Sequence, residues 1–509
     1  MELKKILVGI EGIKAKGSLD IKISNLDSDS RKIKENGLFV AIKGFDVDGN
    51  DYIKSAIENG AVAVMTTPDV DKKLLREIAD KVTIIVVPDT RLGLALASCN
   101  FYGNPSKKFK LVGITGTKGK TTTSFMTKAI LEKQGYKVGL IGTIATYIGD
   151  KKLEDSDRTT PESNKLQKIF YKMAKEECDV VVMEVSSQSL KLNRVAGCDF
   201  DIGVFTNFSE DHISPKEHPD MQDYFNSKLK LLKMCKVGFT NADDLMVAKV
   251  PKLLPECNIT TYGIDNYCNL LAKDITITNS YVDFKVKLET RNERVKVCIP
   301  GRFSVYNALA AISIAKELKC SAENIKDALL EVRVPGRSEL VNNKRELTIM
   351  IDYAHSPESL ENILSAVKSY TRGRVISVFG CGGDRDSGKR PIMGEISGRI
   401  ADYTIITSDN PRTEDPQKIV DQIEEGIKKT KANYEVIVDR TQAIETAIKM
   451  ANKKDIIVLA GKGHEPYQEI NGVKHPFDER EIVKTKIVQA VEAVTGLATH
   501  KIQVFEMQS

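Results

Sequence analysis

The strongest local signal in the sequence is the stretch Gly113-Ile114-Thr115-Gly116-Thr117-Lys118-Gly119-Lys120-Thr121-Thr122. Strand-like Lys110–Ile114 leads into its glycines, and a helical pattern from Thr121 to about Lys133 follows, before strand-like Val138–Ile141. A glycine-rich turn between a strand and a helix lets backbone N–H groups approach phosphate oxygens, and the helix N-terminus adds positive potential. The sequence therefore predicts a βαβ unit that binds a nucleotide, with Lys120 on the β- and γ-phosphates and Thr121 on Mg²⁺.

The loop departs from the strict phosphate-binding pattern at one position, because Ile114 stands where that pattern has glycine. The alternative is a tight glycine turn without a ligand, but Lys120-Thr121-Thr122 in this context favours nucleotide binding. Glu184 ends the apolar strand Val180–Met183, where a carboxylate can hold the metal of a bound nucleotide. A helix-capping or surface carboxylate is the other interpretation of Glu184.

Length and composition indicate a large protein of ordinary globular type. Its length of 509 residues suits about three domains. The 75 basic and 70 acidic side chains give a net charge of +5, which excludes a dedicated nucleic-acid binder but allows a basic cleft for small anions. Nine cysteines are scattered singly, which disfavours a zinc ribbon or a disulfide scaffold. The sequence has neither a secretory signal nor a membrane-length apolar run, so we expect a cytoplasmic protein without membrane contact.

Strand-like apolar runs alternate with helical patterns along most of the chain, which predicts α/β layers with mainly parallel sheets. We expect a smaller N-terminal α/β domain over residues 1–107, a central P-loop domain over 108–333 and a C-terminal Rossmann-like α/β domain over 334–509. The predicted boundaries are the polar stretch Gly103–Lys108 and the segment Val334–Arg337. Further predicted elements are strands at Gly37–Ile42, Ala61–Met65, Val180–Val185 and Asp201–Phe205, and a helix near Tyr52–Glu58.

Three apolar strands in the last domain are each followed at once by a polar or glycine-rich loop. They are Val375–Phe379 before Gly380–Arg385, Tyr403–Ile406 before Ser408–Arg412, and Ile456–Leu459 before Gly461–Glu465. In open parallel sheets, ligands bind at the carboxyl ends of the strands. Three such loops in one domain therefore predict a binding site.

Further motifs extend over nearly the whole chain, and together with the glycine-rich loop they resemble the Mur ligase family. The motifs are Asp29-Ser30-Arg31, Thr159-Thr160-Pro161-Glu162, Met183-Glu184-Val185-Ser186-Ser187, Asp211-His212, Gly301-Arg302-Phe303, Tyr306-Asn307, Asp352-Tyr353-Ala354-His355, Gly383-Asp384-Arg385-Asp386, Asp409-Asn410-Pro411-Arg412 and Gly461-Lys462-Gly463-His464-Glu465. They are similar to the branch of the family that adds a diamino acid to a nucleotide-linked peptide precursor of the bacterial cell wall.

The resemblance implies an ATP-dependent acid–amino-acid ligase of peptidoglycan precursor synthesis. In that family the substrate carboxylate attacks the γ-phosphate of ATP, and the incoming amine then displaces phosphate from the acyl phosphate. For this chain the implied reaction joins meso-diaminopimelate to UDP-N-acetylmuramoyl-L-alanyl-D-glutamate.

The resemblance also implies two metal ions. One Mg²⁺ would lie on Thr121 and Glu184, and a second on His212 and Lys228, the latter carbamylated by CO₂ on its neutral amine. Without the family match, Lys228 would be interpreted as an ordinary surface lysine. Lys230 is the alternative position for the carbamate.

The other site residues follow from the family motifs. The implied catalytic residues are Lys120, Glu184, His212 and Lys228. Those implied to bind ATP are Gly116, Thr117, Lys118, Gly119, Lys120, Thr121, Thr122, Asn307, Arg337, Asp352 and His355. Those implied to bind the UDP-linked substrate are Ser28, Ser30, Thr159, Thr160, Ser186 and Arg194. Those implied to bind the diamino acid are Arg385, Asp409, Asn410, Pro411, Arg412, Gly461 and Glu465. A satisfied core histidine is the other interpretation of His355.

We expect Arg412 to determine which amino acid the protein accepts. Its planar guanidinium can bind a second carboxylate in a bidentate manner, and lysine, which has no such carboxylate, would leave a buried charge unpaired. We expect Glu465 to pair with the distal ammonium. Lanthionine would satisfy the same argument, and a simple turn is the other interpretation of Asn410-Pro411.

Several positions depart from the family pattern. Gln188 stands where many members have histidine, and Ser304 and Arg158 stand where asparagine is frequent. The loop Ser214–Asp220 is also unlike the usual one. These departures fit an ordinary variant or a paralogue with another acceptor.

Other functions remain open at this point. A ligase of the same family could add L-lysine, or glutamate to a folate. A non-catalytic binding paralogue should have lost Lys120, Glu184 or His212, and a generic P-loop kinase or GTPase would leave the C-terminal loops unused. The expected partners are small-molecule substrates, and the expected oligomeric state is a monomer.

Overall fold

The structure of the chain is a computed structural model that describes residues 1–211, 213–214, 217–343 and 345–495. Residue contacts divide the chain into two compact units. The first unit comprises the described residues within 1–273, 286–293 and 306–328, and the second comprises those within 274–285, 294–305 and 329–495. The boundaries of the three expected domains stay a prediction.

The N-terminal region forms a mainly parallel sheet. Its elements are α1 (Leu3–Ile6), β1 (Lys14–Lys16), β2 (Asn25–Asp27), β3 (Gly37–Val40), α2 (Ile53–Glu58), β4 (Ala61–Thr66), α3 (Lys72–Ile78), β5 (Thr83–Val86) and α4 (Thr90–Phe101). The strand order is β1-β5-β4-β3-β2, and only the β1–β5 pair is antiparallel. Leu38 packs in one core cluster and Phe39 in another, as expected for a strand that is buried on both faces.

The central sheet places the glycine-rich loop. Its elements are β6 (Lys110–Thr115), α5 (Lys120–Lys133), β7 (Val138–Ile141), β8 (Ala145–Ile148), β9 (Lys151–Asp155), α6 (Ser163–Lys175), β10 (Val180–Glu184), α7 (Ser187–Lys191), β11 (Phe200–Phe205), α8 (Met221–Met234), β12 (Cys235–Asn241), α9 (Val250–Leu253), β13 (Ile259–Gly263) and β14 (Leu270–Leu271). The strand order is β14-β13-β12-β11-β6-β10-β7-β8-β9. Strand β6 pairs in parallel with β10 and β11, so the loop after β6 lies at the centre of the carboxyl edge.

A small sheet and two helices follow in the chain. They are β15 (Lys273–Ile277), β16 (Val282–Leu288), β17 (Arg291–Val297), α10 (Arg302–Glu317) and α11 (Ala322–Glu331). Along β16 the buried and solvent-facing side chains alternate, as in a strand covered on one face only.

The C-terminal region forms a second mainly parallel sheet. Its elements are β18 (Glu339–Leu340), β19 (Thr348–Asp352), α12 (Pro357–Tyr370), β20 (Val375–Phe379), α13 (Lys389–Ile400), β21 (Tyr403–Ile406), α14 (Pro416–Ile427), β22 (Tyr434–Val436), α15 (Arg440–Met450), β23 (Ile456–Ala460), β24 (Tyr467–Ile470), β25 (Val473–Pro476) and α16 (Glu479–Thr495). The order β18-β19-β23-β20-β21-β22 is parallel except at β18. Strands β24 and β25 form a separate antiparallel hairpin.

The predicted α/β fold class, with mainly parallel sheets, is confirmed. Strand Gly37–Ile42 is shorter than predicted because the Ile42 carbonyl accepts from Gly49 N–H at 2.9 Å, where the chain turns away from the sheet. The stretch predicted as a linker contains a 3-10 helix, Pro105–Lys107, with Pro105 and Ser106 buried. Other 3-10 helices are Ser30–Lys32, Gly49–Tyr52 and Val247–Lys249. Within the described ranges, no helix is long and apolar enough to cross a membrane.

Candidate active site

The glycine-rich loop runs from β6 into the N-terminus of α5, as the sequence predicts. Gly116 and Gly119 have φ angles of 148° and 82°, which L side chains rarely adopt. A Cβ on Gly119 would lie 2.4 Å from Asn307 Oδ1, so the loop passes directly against α10. Asn307, one of the residues predicted to bind ATP, therefore lies against the loop.

Two lysines of the loop are held by oxygen acceptors. Lys120 Nζ donates to the Gly116 carbonyl at 2.8 Å and to the Thr117 carbonyl at 3.0 Å. Lys118 Nζ pairs with Asp211 at 3.2 Å. Thr122 is buried in the first turn of α5. These contacts collect two ammonium groups beside a helix N-terminus, an arrangement suited to a polyphosphate.

Thr121 and Glu184 form a buried oxygen pair beside the loop. The Thr121 hydroxyl donates to Glu184 Oε2 at 2.9 Å, and Glu184 is 1% exposed. Thr143 holds the same carboxylate, with its N–H 2.9 Å from Oε1 and its hydroxyl 3.1 Å from Oε2. A hydroxyl and a fixed carboxylate are hard oxygen donors, so this pair fits Mg²⁺. The surface-carboxylate interpretation of Glu184 is wrong.

Lys228 is buried in the middle of α8. Its exposure is 1%, and its Nζ donates to the Gly116 carbonyl at 2.8 Å. Burial, assisted by nearby Lys120, lowers the pKa of Lys228 well below its ordinary value, although Asp211 opposes the shift. The interpretation of Lys228 as a surface lysine is therefore wrong. Lys230 is exposed and donates to the Leu190 carbonyl at 3.3 Å.

Four residues predicted to bind the UDP-linked substrate lie together near Glu184. The Thr160 hydroxyl donates to the Glu184 carbonyl at 2.9 Å and accepts from Ser186 N–H at 3.0 Å. Arg194 Nη1 donates to the Thr160 carbonyl at 3.4 Å, and its Nε lies 2.9 Å from Glu162. The Thr159 hydroxyl lies 3.1 Å from that of Thr143.

Ser28 directly follows β2, and Ser30 begins the following 3-10 helix. The buried Ser30 has its carbonyl bonded by Asn59 Nδ2 at 3.0 Å. In the described part of the chain, no hydrogen bond links either serine to Thr160 or Ser186.

Arg337, Asp352 and His355 gather around Tyr353 in the second unit. The Arg337 guanidinium lies over the Tyr353 ring at 4.7 Å, and the His355 ring contacts the same ring at 4.5 Å. Asp352 Oδ2 accepts from Ser338 N–H at 2.7 Å. Burial raises the pKa of Asp352, and the neighbouring Arg337 opposes that shift. His355 is exposed at this position, so the core-histidine interpretation is wrong.

The three predicted C-terminal loops meet in one cluster. Arg412 Nη1 donates to the Gly383 carbonyl at 2.6 Å. A Cβ on Gly382 would lie 3.0 Å from Arg412 Nη1 and 3.9 Å from Arg385 Cγ, so the two arginines flank that glycine. A Cβ on Gly383 would lie 1.9 Å from the Pro411 carbonyl, and one on Gly461 would lie 2.4 Å from Asp409 Oδ2. The cluster therefore brings together all the residues predicted to bind the diamino acid.

Glu465 and Asn410 are hydrogen-bonded directly, and the fully buried Lys462 contacts Asn410. Asn410 Nδ2 donates to Glu465 Oε2 at 2.8 Å, and Lys462 Nζ donates to Asn410 Oδ1 at 3.0 Å. Burial lowers the pKa of Lys462 and raises that of Glu465, while each charge partly opposes the shift of the other. Sequence reasoning named Glu465 and Asn410 but missed Lys462, although it lies in a quoted motif.

Models of known protein families match three parts of the chain. The model of the Mur ligase middle domain matches residues 114–315, that of the Mur ligase glutamate ligase domain matches 336–463, and that of the Mur ligase catalytic domain matches 22–102. The chain belongs to the Mur ligase family. Within that family, the UDP-N-acetylmuramoyl-L-alanyl-D-glutamate–2,6-diaminopimelate ligase of Caldanaerobacter subterraneus is 48% identical over 494 residues, covering 96% of this chain and 100% of that protein.

Two further proteins of the same name are similar to this chain over nearly its whole length. A ligase of the same name from Clostridium acetobutylicum is 46% identical over 95% of this chain and 98% of its own length. A solved structure named UDP-N-acetylmuramoyl-L-alanyl-D-glutamate–2,6-diaminopimelate ligase has a TM-score of 0.70 at 28% identity, covering 97% of this chain and 99% of that chain. The likeness to the Mur ligase family thus extends over nearly the whole length.

Sequence reasoning missed two features that lie beside the predicted site residues. Tyr224 lies between the loop and Lys228, with its hydroxyl 3.2 Å from Thr117 Oγ1 and the Lys228 amine 4.5 Å from its ring centre. The hairpin of β24 and β25 packs on the Arg412 loop through a bridge between Arg412 and Ile470. The dipeptide Asn471-Gly472 between two strand-like runs was a signal for that hairpin. His212, assigned to the second metal, lies outside the described residues.

Proposed function

We propose that this chain joins meso-diaminopimelate to UDP-N-acetylmuramoyl-L-alanyl-D-glutamate with hydrolysis of ATP to ADP and phosphate. The observation that carries this choice of amino acid is the Arg412 guanidinium in the C-terminal loop cluster, where a ligand with a second carboxylate can pair with it. The names of the full-length relatives support the same substrate.

The ATP site is proposed at the loop before α5. The backbone of Gly116–Thr122 and the ammonium of Lys120 would hold the phosphates and neutralise charge that develops as the γ-phosphate is transferred. Asn307, Arg337, Asp352 and His355 complete the proposed ATP-binding set. Thr121 and Glu184 would hold Mg²⁺, which would supply charge neutralisation at the phosphate oxygens.

Lys228 is proposed as the carbamylated residue. Its neutral amine would attack CO₂, forming an N–C bond and releasing one proton, and the resulting carbamate would be an anionic oxygen ligand. The lowered pKa of Lys228 supports this role, since only the neutral amine reacts. The exposed Lys230 has no such environment, so we propose Lys228 over Lys230, with His212 as the second ligand.

The UDP-linked substrate is proposed to bind through Ser28, Ser30, Thr159, Thr160, Ser186 and Arg194. Its free carboxylate would attack the γ-phosphate and release ADP. The amine of diaminopimelate would then attack the acyl carbon, lose a proton and expel phosphate. Arg385, Arg412 and Glu465 would orient the far end of the amino acid so that this amine meets the acyl carbon. Cytoplasmic location and a monomeric chain complete the proposal.

The test is an acceptor panel. Purified protein is incubated with ATP, Mg²⁺ and the UDP-linked dipeptide, and phosphate release and the mass of the product are measured with meso-diaminopimelate, lanthionine or L-lysine. We expect product with the two dicarboxylic acids and at least about 100-fold lower kcat/KM with lysine, because lysine leaves Arg412 unpaired. A preference for lysine would refute the role of Arg412 and leave the ligase; no turnover with any acceptor would favour a non-catalytic paralogue.

A further inference from the structure

The hairpin of β24 and β25 holds the backbone of Arg412 from both sides. Arg412 N–H donates to the Glu469 carbonyl at 3.0 Å, and Asn471 N–H donates to the Arg412 carbonyl at 2.7 Å. Arg412 has a φ of 52°, in the left-handed region that residues with a side chain adopt only where the surroundings support it. The hairpin therefore fixes where the Arg412 guanidinium lies.

Glu469 places a carboxylate beside that guanidinium. Its Oε2 lies 3.4 Å from Arg412 Nε, and the two side chains are 26% and 22% exposed. Glu469 N–H donates to Asn410 Oδ1 at 2.9 Å, so the residue is tied to the same motif as Arg412. The charge pair is thus held in place and remains open to a ligand.

Arg412 keeps donors that a ligand can use. A guanidinium has five N–H donors. One Nη1 donor is used by the Gly383 carbonyl at 2.6 Å, and Nη2 meets no acceptor within the described residues. A carboxylate can therefore bind at the Nη atoms while Glu469 stays beside Nε. The positive Arg412 guanidinium and the negative Glu469 carboxylate then lie next to each other in the C-terminal loop cluster.

We propose that Glu469 is a specificity-determining residue that pairs with the distal ammonium of the diamino acid while Arg412 binds the distal carboxylate. The inference rests on the proposed function. The distal carbon carries both groups, with the nitrogen about 2.5 Å from the carboxyl carbon, so a neighbouring arginine and glutamate match one amino-acid head. Glu469 adds to Glu465, whose Oε2 already accepts from Asn410 at 2.8 Å.

The test compares two acceptors in the variant Glu469→Gln, which keeps the backbone bonds of the hairpin and removes the charge. The acceptors are meso-diaminopimelate and 2-aminopimelate, in which hydrogen replaces the distal amine. We expect KM for diaminopimelate to rise about 10-fold with kcat nearly unchanged, and KM for 2-aminopimelate to stay the same. Glu469→Asp, which keeps the charge, should restore part of the loss. The control Glu425→Gln removes the same charge from an exposed position on α14 and should change neither KM.

Three results would overturn the inference. An equal rise in both KM values would mean that Glu469 only supports the hairpin. A fall in both would mean that it competes with the ligand carboxylate for Arg412. If neither KM value changes, Glu469 does not pair with the distal ammonium, and Glu465 would be its only partner. If the unsubstituted protein ligates neither acceptor, the proposed function fails and the inference with it; turnover by the unsubstituted protein confines any failure to the inference.

Discussion

The nucleotide loop and the amino-acid cluster are built in different ways. The nucleotide loop is one contiguous stretch between β6 and α5, and glycines supply its unusual backbone angles. The amino-acid cluster joins segments that are far apart in sequence, and its left-handed Arg412 and Asp384 carry side chains. Such residues need support from their surroundings. A contiguous site can thus be recognised from its local sequence, whereas an assembled site depends on long-range packing.

The largest expected effect is on the contiguous loop. Lys120→Ala should lower turnover by about 1,000-fold or more, because it removes the cation held by the loop carbonyls beside the proposed phosphates. The turnover of the variant is measured as the rate of phosphate release at saturating substrate concentrations. Lys168→Ala, an exposed lysine on α6, is the control and should leave turnover unchanged. Retention of more than a tenth of the activity in Lys120→Ala would contradict the proposed role of the loop.

Arg412→Ala should affect the assembled cluster alone. We expect kcat/KM for diaminopimelate to fall by about 100- to 1,000-fold, because the ligand carboxylate loses a bidentate partner. KM for ATP should stay the same. Arg399→Ala, at an exposed position on α13, is the matched control. A rise of KM for ATP as large as that for the amino acid would show that the two regions are not independent.

The two candidate carbamate positions differ in burial, which gives the next prediction. Lys228→Ala should lower turnover by about 100-fold, because an anionic ligand beside the loop is lost. Lys230→Ala should keep turnover within about twofold, as expected for an exposed side chain. Thermal unfolding of both variants checks that Lys228→Ala still folds. Equal turnover in the two variants would contradict the proposal that Lys228 is the carbamylated residue.

Sequence reasoning was strongest where local pattern determines structure. The strands Val138–Ile141, Val375–Phe379 and Tyr403–Ile406 have the predicted bounds, because mainly apolar runs suit strands buried on both faces. The loops after the last two strands were also found, since chain order alone places them at the carboxyl edge.

What sequence reasoning missed depends on contacts between distant segments. The burial of Lys228 and Lys462 follows from packing that a single lysine in a sequence does not indicate. The contact of Tyr224 with Thr117 joins residues more than one hundred positions apart. The hairpin was missed although Asn471-Gly472 marks it, because its strands are short and neither contains a buried residue. The roles assigned to site residues stay proposals.

The smallest expected effect compares two glycines at hairpin turns, one in the central sheet and one in the hairpin beside Arg412. Gly472 lies between β24 and β25 and Gly149 between β8 and β9, with φ angles of 76° and 55°, and a Cβ on either would meet no atom within 4 Å. Alanine at either position should therefore cost about 1 kcal/mol through backbone strain alone.

Only the substitution at Gly472 should weaken the binding of the amino acid. Gly472→Ala loosens the hairpin that holds the backbone of Arg412, so KM for diaminopimelate should rise a few-fold while KM for ATP stays constant. Gly149→Ala should lower the free energy of unfolding without changing KM for diaminopimelate. Chemical denaturation and initial rates measure both variants. If the two substitutions alter KM for diaminopimelate equally, the hairpin has no special part in holding Arg412, and the difference between the contiguous and the assembled site disappears at this point.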